Sequence, residues 1–283
     1  MIRGKLLIIG GNVDKGTIES GEPLNLNKLN FFEEGILKRM LNELNTSDPR
    51  IEIVTSASLI PDDIGEEYIK AFKRLNQKKI GLLHPLSQSE ADSQEIIDRL
   101  KNSDAIMFTG GDQCRLEEVF SGSTFLEILK DRLMKDDNFL VSGTSAGAMV
   151  FGKEMICGGQ TNEKIIKGGI IWGKGFALAA GIIIDTHFVK RQRFSRLIEA
   201  VATFPKLIGI GLGEDTAVLI KNGIELETIG SGLVVIMDAR ETTENSFKYI
   251  QPGENICLEK IILSILPKER AYNLDQRQLV KTY

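Results

Sequence analysis

The segment Val141-Ser-Gly-Thr-Ser-Ala-Gly-Ala-Met149 sets two serines, Ser142 and Ser145, among glycines and alanines, directly after the apolar run Phe139-Leu-Val141. Within it, Gly143-Thr-Ser-Ala-Gly147 fits G-x-S-x-G. Small residues in that pattern relieve crowding at a sharp strand-to-helix turn, and the central serine hydroxyl is held out as a nucleophile. Ser145 occupies the central slot; Ser142 falls outside it and is expected to point into packing. A turn of small residues made only for packing has the same composition, so the motif alone leaves both readings open.

A serine hydroxyl needs a neighbouring base, usually histidine, and the chain has two. His84, in Leu82-Leu-His-Pro-Leu86, reads as structural. His187 ends the run Ile182-Ile-Ile-Asp-Thr-His187, at the close of a strand expected to be buried. A third residue, an acid, must hold the imidazole tautomer. Glu214, in Gly209-Ile-Gly-Leu-Gly-Glu-Asp215, is favoured because flanking glycines allow close approach, with Asp185, Glu163 and Asp215 as rivals. The chain order Ser…His…acid differs from the Ser…Asp…His order of α/β-hydrolases. An oxyanion hole would take the Ala146 amide, which comes with the turn, and a second amide from Thr109-Gly-Gly-Asp-Gln113, with Gly111 the best placed. A plain Gly-Gly turn is the alternative there.

After His187 the chain reads Phe-Val-Lys-Arg-Gln-Arg193, and Phe194, Leu197, Ile198 and Val201 then form a helical apolar stripe. Lys190, Arg191 and Arg193 therefore fall near a helix start, where positive charge costs about 0.3–1 kcal/mol against the helix dipole. Basic residues there, beside the proposed base, point to an anionic ligand, and Arg191 and Arg193 could hold carboxylates bidentately.

These residues need a scaffold that brings strand ends together. Apolar, β-branched runs recur at Leu6–Ile9, Ile51–Thr55, Ile80–Leu83, Ala105–Phe108, Phe139–Val141, Ile182–Ile184, Leu207–Ile210 and Ala217–Ile220. Runs without polar alternation suit strands covered on both faces. Helical patterns cover Phe32–Leu44, Glu90–Leu100 and Leu116–Leu133. Alternating β and α segments predict an α/β doubly wound, mostly parallel sheet, with ligands beyond the carboxyl ends of its strands. Ala217–Ile220, Ile224–Ile229 and Leu233–Met237, joined by Gly-containing turns, read as a C-terminal β-meander that extends or flanks that sheet. No repeat or linker divides the 283 residues, so a single domain over 1–283 is expected.

Composition excludes other classes. A net charge of −4 disfavours nucleic acid as a partner. The opening MIRGKLLIIGGN reads as a first strand and not a signal peptide, and no apolar stretch is long enough for a membrane span. Three scattered cysteines suggest neither a disulfide framework nor a metal site, and a cytoplasmic protein is expected. The glycine-rich segments match neither G-x-G-x-x-G nor a Walker A loop, so neither cofactor nor metal is expected.

GGDQ at 110–113, GTSAGA at 143–148, DTHF with two following arginines at 185–193, and GLGEDTA at 211–217 together resemble the cyanophycinases of peptidase family S51, which also contains the aspartyl dipeptidase peptidase E. The likeness runs from the first strand to LPKERAYNLDQRQ near the end of the sequence. It implies a flavodoxin-like, class I glutamine amidotransferase-like three-layer α/β fold, usually dimeric, and a Ser-His-Glu triad of Ser145, His187 and Glu214. It further implies a peptide polymer as substrate: a poly-aspartate bearing arginine on its β-carboxyls, cut to β-Asp-Arg dipeptides. Gln113, Asp185, Arg191 and Arg193 match the family's substrate-pocket positions, with Asp185 an acid for the substrate guanidinium. The pocket position between Asp185 and His187 departs from the pattern, because the family usually has Gln and this chain has Thr186. That departure keeps a second substrate class open, short Asp- or isoaspartyl-peptides. A glutamine amidotransferase would need cysteine where Ser145 stands, and a non-catalytic scaffold would not need the three residues together.

Overall fold

The computed structural model describes residues 2–17, 29–159 and 164–280. Glu163, one of the rival acids, lies outside them. The first half alternates strand and helix as expected. In chain order come β1 (Lys5–Ile9), α1 (Ile36–Asn42), β2 (Ile51–Val54), α2 (Pro61–Arg74), β3 (Ile80–Leu83), α3 (Gln88–Ala91), α4 (Gln94–Lys101), β4 (Ala105–Phe108), α5 (Gln113–Phe120), α6 (Thr124–Lys135), β5 (Leu140–Thr144) and the single turn α7 (Ala146–Met149). A hairpin, β6 (Glu154–Gly159) with β7 (Ile170–Lys174), precedes β8 (Ile182–Asp185), α8 (Phe194–Thr203) and β9 (Ile208–Leu212). Three further strands are β10 (Thr216–Lys221), β11 (Glu225–Gly230) and β12 (Val234–Asp238).

Two of the expected helices are broken by polar residues inside the apolar pattern. The Leu116–Leu133 stretch divides into α5 and α6 at Ser121-Gly-Ser123, where Gly122 takes a φ of +77° and the Ser123 hydroxyl accepts from the Leu126 N–H at 3.1 Å. The Glu90–Leu100 stretch divides into α3 and α4 at Asp92-Ser93, and the Asp92 carboxylate accepts from the Phe125 N–H at 3.0 Å. The helix expected over Phe32–Leu44 starts later, at Ile36, after Gly35.

Five parallel strands run in the order β3-β2-β4-β5-β1, and the sheet continues antiparallel through β10, β11, Ala271–Asn273 and Gln278–Leu279. Alternate side chains of the parallel strands enter different cores. Leu7, Ile9, Ile53 and Met107 pack with Ile36, Met40 and Phe72 of α1 and α2 on one face. Leu6, Ile8, Val54, Phe108 and Val141 pack on the other with α5, α6, α8 and a second sheet. Apolar residues at every position thus serve two layers, which gives the flavodoxin-like three-layer α/β arrangement.

The second sheet is the main departure from expectation. β8 and β9 do not join the main sheet; they form a four-stranded sheet in the order Ile262–Leu266, β12, β9, β8. The expected meander is accordingly divided. β10 and β11 extend the main sheet beside β1, whereas β12 pairs with β9 through Val234↔Leu212 to Asp238↔Ile208. The turn at Gly230-Ser-Gly-Leu233 carries the chain from one sheet to the other.

Candidate active site

The triad and oxyanion segments expected from the sequence leave the carboxyl ends of parallel strands, Thr109–Asp112 after β4, Ser145 after β5, Thr186–His187 after β8 and Gly213–Asp215 after β9, and Gly10–Asn12 does the same after β1. The elbow itself is tight. A β-carbon on Gly143 would come within 2.1 Å of Gly147 O, and one on Gly147 within 2.3 Å of Phe108 O, so both glycines are required by close packing. Ser142 is fully buried in β5, and Ser145 is the one residue of 141–150 that is not buried. Ser145 has φ 53° and ψ −118°; His187 and Asp215 also have positive φ, 49° and 45°. Such conformations cost on the order of 1–3 kcal/mol each and persist only where the surroundings over-determine them.

The three expected residues meet. Ser145 Oγ lies 3.0 Å from His187 Nε2, and His187 Nδ1 lies 2.9 Å from Glu214 Oε1. An ionised carboxylate can only accept, so Nδ1 carries the proton and Nε2 is left to accept from the serine hydroxyl. Burial lowers the His187 pKa from its ordinary 6.5; the Glu214 hydrogen bond opposes this, and the cations Arg191 and Arg193 reinforce it. The imidazole is therefore neutral at pH 7. Burial pushes the Glu214 carboxyl up, but hydrogen bonds from Lys190 and His187 outweigh it and hold the group below its ordinary value. Lys190 Nζ donates to Glu214 Oε2 at 2.7 Å.

Around Ser145, a β-carbon on Gly110 would lie 3.7 Å from the hydroxyl, so the Gly110-Gly111 turn borders the nucleophile. Gly111, with φ +144°, is packed against Ala57. Among the described residues, neither the Gly111 nor the Ala146 N–H donates to a protein acceptor. Gln113 Nε2 donates to the carbonyls of Ile156 at 2.8 Å and Cys157 at 3.0 Å, which ties the start of α5 to β6 and leaves the amide oxygen unused by these bonds. Cys114 and Cys157 close the same junction as a disulfide with a Cα–Cα distance of 6.1 Å. The sequence reading expected no such bridge, because residues 43 apart on a helix and a hairpin come together only in the fold.

The basic segment is used differently from the expectation. Asp185 is fully buried, and its carboxylate accepts from Arg193 Nη1 at 3.0 Å, Arg196 Nε at 2.8 Å, Arg196 Nη2 and the Thr186 N–H at 2.9 Å. It therefore neutralises the protein's own guanidinium groups and is not free to take one from a ligand. Arg193 also donates to Thr186 O at 2.7 Å and is largely buried. Lys190 and Arg191 are both exposed, but with Lys190 on Glu214 and Arg193 on Asp185, Arg191 is the member of the trio with no side-chain partner among the described residues. Helix α8 begins at Phe194, so the three cations occupy the preceding turns. Thr186 is buried and its hydroxyl has no hydrogen-bond partner among the described residues. His84 stands apart from the triad, its Nδ1 3.2 Å from Thr55 Oγ1.

Arg196 lies within the apolar stripe of α8, which masks it in the sequence. Its spacing three residues after Arg193 puts both on one helical face, which is the signal that could have found it.

The family model for peptidase family S51 matches residues 28–227. The chain is 32% identical over 275 residues to a cyanophycinase of Trichormus variabilis, covering 97% of this chain and 87% of that one. It is 29% identical over 277 residues to a cyanophycinase of Geminocystis herdmanii, covering 98% and 96%. Among solved structures, a peptidase from an acI-B1 Actinobacterium shares the fold at a TM-score of 0.55 and 19% identity, covering 92% of this chain and 97% of its own. On the match to that model and to these relatives, the chain belongs to peptidase family S51.

Proposed function

We propose that this chain is a serine exopeptidase that hydrolyses cyanophycin, multi-L-arginyl-poly-L-aspartate, to β-Asp-Arg dipeptides through an acyl-enzyme. The observation that carries the reading is the continuous chain Ser145–His187–Glu214, at 3.0 and 2.9 Å, in a sequence alignable with cyanophycinases over nearly its whole length. Ser145 Oγ attacks the carbonyl carbon of the scissile amide while its proton passes to His187 Nε2. The Gly111 and Ala146 N–H groups receive the developing oxyanion. His187 then gives the proton to the departing nitrogen, the C–N bond breaks, and an ester to Ser145 remains. Water attacks that ester, His187 takes its proton, and the serine is restored. Glu214 holds the imidazole in register and stabilises its charged form.

Recognition divides between Arg191, free to meet a substrate carboxylate, and the Gln113 amide oxygen, able to accept from a guanidinium. Asp185 and Arg193 contribute as a buried pair close to His187 in sequence, and Thr186 adds a buried hydroxyl. Neither metal nor cofactor takes part. The whole of 1–283 acts as one catalytic domain, as a homodimer in the cytoplasm, with neither nucleic acid nor membrane as partner; near-complete coverage of the relatives supports the single unit. Thr186, in place of glutamine, favours a second reading, a peptidase E-like dipeptidase for short Asp- or isoaspartyl-peptides. Incubation with purified cyanophycin and mass spectrometry of the soluble products tests the first reading: β-Asp-Arg is expected. Turnover confined to short Asp-X or β-Asp-X peptides would transfer the assignment to the second.

A further inference from the structure

The end of β1 carries no nucleophile, base or acid, yet it touches every member of the proposed triad. Three consecutive carbonyls accept from the three catalytic loops. The Ser145 N–H donates to Ile9 O at 3.0 Å, the His187 N–H to Gly10 O at 2.7 Å, and the N–H of Asp215, next to Glu214, to Gly11 O at 2.9 Å. Side chains continue the pattern. A β-carbon on Gly11 would lie 2.4 Å from Cε1 and Nε2 of His187, so the imidazole rests directly on the glycine backbone. Asn12 Nδ2 donates to Glu214 Oε2 at 3.3 Å, the oxygen that also accepts from Lys190. Gly11 and Asn12 have φ of +103° and 46°, a region that glycine and asparagine adopt at least cost.

These contacts answer a problem that neither sheet solves alone. Ser145 hangs from the nine-stranded sheet, whereas His187 and Glu214 hang from the four-stranded one. β1 belongs to the first sheet and its last carbonyls reach across to the second. We propose that the Gly10–Asn12 turn and Lys190 are the positioning element of the triad: the backbone sets the spacing, Gly11 is the shelf for the imidazole, and Asn12 with Lys190 clamps the outer oxygen of Glu214. The proposal rests on the Ser145–His187–Glu214 reading. Two donors on Oε2 also draw carboxylate charge away from Oε1, which faces the imidazole. The other charged groups facing the pair are Arg191 and Arg193. Asp215 is turned away, its carboxylate accepting from the Asp14 N–H at 3.0 Å and Ser231 Oγ at 2.9 Å.

The test compares wild type, the double variant Asn12→Gly/Lys190→Gln, Lys190→Arg and Ser145→Ala. The probe is a fluorophosphonate, which bonds to a serine oxygen with loss of fluoride as the hydroxyl proton passes to the base. Its labelling rate needs no knowledge of the natural substrate. Glycine keeps the φ of residue 12 accessible, and thermal unfolding checks that the fold is kept. The double variant is expected to label about 10–100-fold more slowly, the scale of a displaced catalytic group. The acid limb of its rate is expected at higher pH, because the full Glu214 charge then faces His187. Lys190→Arg, which keeps the charge, should keep the wild-type limb. An unmoved limb in the double variant, whatever its rate, overturns the proposal. Labelling of Ser145→Ala at the wild-type rate would instead overturn the nucleophile assignment.

Discussion

The two sides of the active site are built by different means. On the nucleophile side, Ser145 is held by close packing: every neighbour from Val141 to Val150 is buried, and two glycines touch backbone where no larger residue fits. On the base and acid side, the backbone contacts from the end of β1 are joined by charge: Lys190 pairs with Glu214, and Asp185, two residues before His187, binds Arg193 and Arg196. Packing resists displacement whatever the pH or salt, whereas ion pairs are strong when buried and weak when exposed. Of these charged contacts, Asp185–Arg196 is dry and Glu214–Lys190 is wet, with the Lys190 side chain 66% exposed.

The largest effect should come from the packed side. Ser145→Ala should lower kcat by at least about 10³-fold with thermal unfolding unchanged, because it removes the attacking atom and no packing. Wild-type turnover in that variant would end the comparison. Next comes the buried charge. Asp185→Ala leaves Arg193 and Arg196 without their counter-ion and should destabilise the fold by about 3–5 kcal/mol, read by denaturant unfolding. A loss confined to activity would mean that Asp185 serves the ligand and not the scaffold.

The third effect falls on the exposed side. Neutral His187 is the active form, and its depressed pKa places the acid limb of kcat/KM below pH 6.5. Arg191 is one of the cations holding it down, so Arg191→Gln should move the limb up toward 6.5. The same change should raise KM for a carboxylate-bearing peptide about 10-fold, the scale of one lost charge-assisted hydrogen bond. The smallest effect is expected at Thr186. Its buried hydroxyl has no partner among the described residues, so Thr186→Val should leave stability unchanged or raise it by about 1 kcal/mol. Any rise in KM would then report a hydroxyl that the substrate uses.

Local signals made much of this legible. The β-branched runs became β1 to β5, and the serine motif predicted an elbow that the glycine contacts explain. The β6–β7 hairpin is not legible, since Glu154-Met-Ile-Cys-Gly-Gly159 is short and glycine-ended and does not alternate cleanly. The run Ile182–Asp185 looks like any parallel strand, and nothing within it says which sheet it joins.

Sequence alone determined the residue types that could react, the strands that present them and the turns that require glycine, because these depend on neighbours within a few positions. Only the tertiary structure decided that β8 and β9 leave the main sheet, that Asp185 is taken by Arg196, that Lys190 reaches Glu214, and that Cys114 meets Cys157. Sheet membership depends on which faces the helices cover, and an ion pair depends on which side chains burial brings together. Neither is a property of spacing along the chain. The end of β1 shows both levels at once: Gly10-Gly-Asn12 is visible as a turn, but its grip on Ser145, His187 and Asp215 exists only where the two sheets meet.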